Sequence, residues 1–215
     1  MGRIITIFSL VLLSSIMAKA QNEWELPTEN QQAVNIIDSV NTVVDSTNPD
    51  AKYLAGAVKT NEKGEVVFSK TIANDYVAKD NYERLLNYLT TLTKKEPALP
   101  ESRLLLVNAK RNIIVAHFEE WMIFRSSLFE LDRARFVYTL MAECYDKSTT
   151  FTINRISYQY EGNGTREKEI FKAENWIADN VALTKNKKKL KRAMSKFRKK
   201  TIDRVETIFK EFNSY

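Results

Sequence analysis

The chain has 215 residues, 44% of them hydrophobic and 28% charged, a composition that excludes wholesale disorder. Cys144 is the only cysteine, so no intramolecular disulfide can hold the fold and burial must do so instead. The net charge of +6 is modest in sum, but it is concentrated in one stretch near the C-terminus.

Residues 1–20 read as an export leader. Arg3 supplies a positive start, Ile4 to Met17 are mostly apolar, and Ala18-Lys19-Ala20 offers small residues at the cleavage positions. The apolar run is shorter than the roughly 20 residues of a membrane span, and no later stretch is apolar enough to serve as one. The mature chain is expected to begin at Gln21, in the periplasm or outside the cell. Gln21 stands where a lipoprotein needs its lipidated cysteine, so a lipid anchor is not expected.

Residues 21–50 form a lead-in, in which Val34, Ile37, Val40 and Val44 mark a short amphipathic helix that Asn48-Pro49-Asp50 ends. A domain spanning 51–215 follows. Leu54–Val58 and Glu65–Ile72 read as a hairpin with Asn61-Glu62-Lys63-Gly64 at its turn. Asp80 is placed to cap the next helix, with Glu83 at the capping-box spacing. Tyr82, Leu85, Leu86, Leu89 and Leu92 line its inner face.

Four strands are predicted next, over Arg103–Val107, Ile113–Phe124, Arg133–Tyr145 and Phe151–Tyr160. In the third, Phe136, Tyr138, Leu140, Ala142 and Cys144 share one face. In the fourth, Phe151 and Ile153 have one parity and Ile156, Tyr158 and Tyr160 the other, which predicts a bulge near Asn154-Arg155. Glu161–Gly164 reads as a mobile turn, Ala173–Ala182 as a short helix carrying Trp176, and Asn186–Phe212 as a long one. The order β-β-α-β-β-β-β-α contains no βαβ alternation. It points to an α+β domain, a curved antiparallel sheet with helices packed on one face.

Tyr53–Val58, Val67–Lys70, Glu119-Glu120-Trp121, Leu131-Asp132-Arg133 and Phe197–Asp203 together resemble one family. It is the secreted domain-of-unknown-function family of Bacteroidetes with a TATA-binding-protein-like fold, and the resemblance runs from about Asp50 to Phe212. It implies a curved antiparallel sheet with packed helices. It implies no established activity, cofactor or catalytic residue, and the fold's name does not carry DNA binding with it.

Two clusters remain as candidate sites. Between Lys185 and Arg204, eleven of twenty residues are Lys or Arg and only Asp203 opposes them. Lys188, Lys189, Arg192, Lys196, Lys199 and Lys200 are candidate contacts for an anionic partner, either lipid or glycan. They can equally be the solvated face of a helix whose stripe Leu190, Met194, Phe197, Thr201, Val205, Ile208 and Phe212 packs on the sheet.

The second cluster is His117 with Glu119, on one face of the most apolar strand. It can serve as a base with its orienting acid, as the start of a metal site, or as polar rungs paired with Arg125, Arg133 or Arg135. Zinc would need more ligands than this pair supplies, so no metal or cofactor is expected. A Cys144–His117 nucleophile pair is a further alternative. Tyr138, Tyr158, Tyr160 and Trp121 form either an exposed aromatic platform or the core beneath the helices. The expected function is a non-enzymatic module that binds a protein or an envelope component. The alternatives are a peripheral binder of anionic membranes or polysaccharides, and an enzyme with an atypical site near His117; nucleic acid is not an expected partner.

Overall fold

The computed structural model describes residues 48–126, 131–160 and 169–214. The leader, the helix expected around Val34–Val44 and the turn at 161–164 lie outside the described residues. Seven strands form one antiparallel sheet: β1 (Lys59–Thr60), β2 (Val66–Ala73), β3 (Arg103–Asn108), β4 (Ile113–Ser126), β5 (Leu131–Tyr145), β6 (Ser148–Tyr160) and β7 (Glu169–Lys172). The spatial order is β1-β2-β6-β5-β4-β3, with β7 also paired to β6. The helices are α1 (Ala78–Leu92), the single turn α2 (Asp179–Ala182) and α3 (Arg192–Asn213). This is the α+β architecture that the strand pattern predicts.

Alternation places the core. Phe118 and Met122 on β4, with Phe136, Tyr138, Leu140, Ala142 and Cys144 on β5, are buried on one face beneath α1 and α3. Each large apolar side chain buried there contributes about 1.5–3 kcal/mol. The β5–β6 register slips between Val137 and Thr139, and Arg155 has φ 51. An extra residue on β6 therefore turns Ile156 and Tyr158 to the same face as Phe151 and Ile153. The bulge also marks a change of neighbour. Before it β6 pairs with β2, and after it with β7.

Four expectations need correction. Leu54–Val58 is not a strand: Ala51–Tyr53 form a 3-10 turn, Gly56 has φ 87, and pairing begins only at Lys59. Asp80 does not cap α1, whose N-cap is Val77; the Ala78 N–H donates instead to Asp146 Oδ1 at 2.8 Å, from the β5–β6 turn. The stretch 173–182 is a 3-10 turn followed by α2 rather than one helix, and β7 precedes it.

Finally, α3 starts at Arg192, six residues after the expected Asn186. Residues 182–191 close a hairpin-like loop: Leu183 bridges Leu190, and the Lys191 N–H donates to Ala182 O at 2.8 Å. Like charges three and four apart disfavour a helix, and cations oppose the positive end of its dipole. The lysine run therefore lies before the helix.

The cap correction is testable by urea denaturation. Asp146→Ala is expected to lower stability by about 1 kcal/mol, the usual worth of a side-chain cap, and Asp80→Ala by less.

Candidate functional site

The basic run divides into two parts with different fates. In α3, Lys196, Arg198, Lys199 and Arg204 are matched by acids. Arg198 is wholly buried because it lies on the helix's inward stripe, between Phe197 and Thr201-Ile202. Its guanidinium donates to Tyr53 O at 2.7 Å, Leu54 O at 2.7 Å, Ile177 O at 2.5 Å and Asp179 Oδ1 at 2.6 Å. The Leu54 carbonyl is one that a Leu54–Val58 strand would have turned toward a neighbour. Asp179 also accepts the Gly56 N–H at 2.7 Å.

Lys196 pairs with Asp132 at 2.7 Å, and Lys199 pairs with Asp50. Burial works to raise the Asp132 carboxyl's pKa, but hydrogen bonds from Lys196 and Tyr160 outweigh it and hold the group below its ordinary value. Arg204 reaches Glu120 at 2.7 and 3.0 Å, and the Tyr138 hydroxyl donates to the same carboxylate at 2.7 Å. Burial works to lower the pKa of Arg204, yet Glu120 outweighs it and the guanidinium is held more firmly charged. On the strap before the sheet, Lys52 donates to Asp203 at 2.6 Å and the Tyr53 hydroxyl donates to it at 2.9 Å.

The loop before α3, together with Arg192 at the helix's first position, differs. Lys185, Lys187, Lys188, Lys189, Lys191 and Arg192 are exposed, and none has an acidic partner among the described residues. Local hydrogen bonds fix the loop: the Thr184 hydroxyl donates to Asn186 Oδ1 at 2.8 Å and accepts the Lys189 N–H at 3.2 Å, and the Lys187 N–H donates to Thr184 O at 2.7 Å. Buried Leu183 anchors it to the domain. Thr184, Lys185, Asn186 and Lys189 line a shallow hollow. The first turn of α3 holds no acid, so the positive end of the helix dipole adds to the field of the six cations. Of the expected contacts, Lys188, Lys189 and Arg192 belong to this group. Lys200 is exposed on α3, and Lys196 and Lys199 are engaged by acids.

His117 and Glu119 lie on the face of the sheet opposite α1 and α3. The His117 Nε2 is 3.0 Å from Glu119 Oε1. Arg135 bridges Glu119 at 2.9 Å and Glu101 at 3.0 Å, and the Arg133 guanidinium stacks 3.6 Å from the centre of the Trp121 ring. Cys144 projects from the other face, so the Cys144–His117 pair is ruled out by the sheet itself. Burial pushes the Cys144 thiol up to about 11. Tyr138 and Tyr158 are core residues beneath the helices, and the Tyr158 hydroxyl lies 2.6 Å from Thr201 Oγ1. With Trp121 on the opposite face, the four aromatics make no platform. Among the described residues no group of three or more His, Cys, Asp or Glu side chains is placed to hold a metal ion.

Two residues that organise the site were not singled out from sequence, although each carried a signal. Arg198 falls four residues from Met194 and from Ile202, and Glu120 shares the parity of Phe118 and Met122. Arg198→Met would leave Asp179 and three carbonyls without their donor, and is expected to cost about 3–5 kcal/mol in chemical denaturation. Cys144 is expected to resist Ellman's reagent at pH 8 in the folded protein and to react at once in denaturant.

A family model described as "Domain of unknown function (DUF4468) with TBP-like fold" matches residues 68–159. A crystal structure of a DUF4468 family protein from Bacteroides ovatus is similar, with 32% identity, a TM-score of 0.69, and 75% of this chain and 91% of that one covered. A TBP-like protein from Parabacteroides distasonis shares the fold at 20% identity and a TM-score of 0.54, over 70% of this chain and 92% of the other. No curated protein matches the chain. With the sheet order, the helices and these likenesses in agreement, the chain belongs to the DUF4468 family of TBP-like fold.

Proposed function

We propose that the protein is a non-catalytic interaction module of the cell envelope, exported by its leader, that docks on anionic surfaces through the Lys185–Arg192 loop. The observation that carries this reading is the division of the basic run. Arg198, Lys196, Lys199 and Arg204 have acids in the fold, whereas the six loop cations have none among the described residues. Packing such charges together at a helix start opposes folding, so they have no evident stabilising task. Local hydrogen bonding already orders the loop backbone, which lowers the entropy cost of engaging a partner. Phosphate groups, on lipid headgroups or on lipopolysaccharide, are the chemistry that such a cluster attracts.

The His117 cluster supports no competing catalytic reading of equal strength. The chain's one histidine is engaged by Glu119, and its one thiol lies on the opposite face of the sheet.

Vesicle co-sedimentation tests the proposal, using phosphatidylglycerol-containing and purely zwitterionic vesicles, with purified lipopolysaccharide as a separate arm. Binding is expected on the anionic surfaces alone and is expected to weaken as salt is raised. Replacing Lys185, Lys187, Lys188 and Lys189 by Gln is expected to reduce it on the order of a thousandfold, at about 1 kcal/mol per cation near the surface. The same change at Lys59, Lys63, Lys70 and Lys94 is expected to reduce it far less. Equal binding by both variants, or binding indifferent to salt, would contradict the reading.

A further inference from the structure

The face of the sheet turned away from α1 and α3 carries a second surface, independent of the loop. Trp121, Arg135, Gln159 and Ile170 stand directly opposite one another on β4, β5, β6 and β7, and Ile123 stands opposite Arg133 in the next row. Three large apolar side chains are open to solvent here: Ile123 at 46%, Leu131 at 52% and Ile170 at 63% exposure. Strands lie about 4.8 Å apart, so Ile123 and Ile170, three strands from each other, bracket a patch about 14 Å wide.

Arg133 lies within this patch. Its guanidinium is 3.6 Å from the centre of the Trp121 ring, which fixes the plane of its N–H groups, and no acid meets it among the described residues. Glu119 and Glu101 are held by Arg135. Asp132 holds Lys196 on the helix side, and Glu169 stands opposite Tyr160, whose ring also lies under Lys196. The other charged neighbours, Arg125 opposite Asp132 and Lys172 opposite Ser157, are further cations. Donors are in excess as well, since Arg135 Nε is buried without an acceptor. The patch is therefore complementary to an acid.

The chemistry of the patch narrows the class of that acid. A guanidinium stacked on an aromatic ring presents a planar fork that suits a carboxylate. An Arg–Trp centre with an apolar rim is the composition of the energetically dominant spots in protein interfaces. A sugar would stack on the Trp121 ring, which Arg133 covers, and a lipid surface is better served by the six cations of the loop. We infer that this face binds a polypeptide segment of a partner protein in which a carboxylate is flanked by apolar side chains. The carboxylate sits on Arg133, and the apolar groups cover Ile123, Leu131 and Ile170.

Selection of a random peptide library displayed on phage against the purified protein tests this. The recovered peptides are expected to share an Asp or Glu flanked by apolar residues. As synthetic peptides they are expected to bind Arg133→Gln at least about tenfold more weakly, the worth of one hydrogen bond to a charged group. Arg133→Lys is expected to recover little, because a point charge does not replace the stacked fork. Ile170→Asp, at the most exposed of the apolar positions, is expected to weaken binding as much. Val77→Asp, similarly open to solvent but beside the β5–β6 turn, is expected to leave it unchanged. The protein with Lys185, Lys187, Lys188 and Lys189 replaced by Gln is expected to bind the peptides as the original does, so that this outcome is separate from that of the loop. No enriched peptide, enriched peptides that share no acid, or equal binding to Arg133→Gln and Ile170→Asp would overturn the inference.

Discussion

A buried arginine sets the terms for the C-terminal half of this structure. Arg198 has no solvent to neutralise it, and an ion pair in such a place is tolerable only when every donor finds an acceptor. Four acceptors converge on it, from the 3-10 turn at 51–53, the chain before α2, and Asp179 at the start of α2. That requirement turns Tyr53 and Leu54 away from the sheet. It also fixes the rotation of α3, so that Phe197, Thr201, Val205, Ile208 and Phe212 face the core. In a chain without a disulfide, this polar clasp ties together segments that apolar contact alone would leave free to slide.

The same rotation sorts the remaining charges. With Arg198 inward, Lys199 comes against Asp50, Lys196 against Asp132 and Arg204 against Glu120. Acids from the strap, β5 and β4 are thereby used up on α3. Nothing comparable approaches residues 185–192 among the described residues, and their cations stay in solvent. What reads in one dimension as a single basic stretch is therefore a structural half and a presented half.

Legibility followed the range of the forces involved. Strands β4 to β6 could be read because each buries one face against two helices, and period-two alternation records that directly. The parity change between Ile153 and Ile156 was enough to locate the bulge. The start of α3 was misplaced because Leu190 continues a helical spacing, while its actual partner, Leu183, is a local bridge no periodicity reports. The capping of α1 was misassigned for a similar reason: Asp146 is 68 residues from Ala78, and Asp80 was merely nearby. At the candidate site, the density of positive charge was visible, but its division was not. The acids that decide it, Asp50, Asp132, Glu120 and Asp179, are scattered along the chain and meet α3 only in three dimensions.

Amine-reactive footprinting of the folded protein, read by mass spectrometry at each lysine, addresses this division most directly. Lys185, Lys187, Lys188 and Lys189 should be modified quickly, and Lys196 and Lys199 slowly, with the difference vanishing once the chain is unfolded. Equal rates at all six positions in the native state would mean that α3 and the loop before it carry their charges alike, and the account would fail.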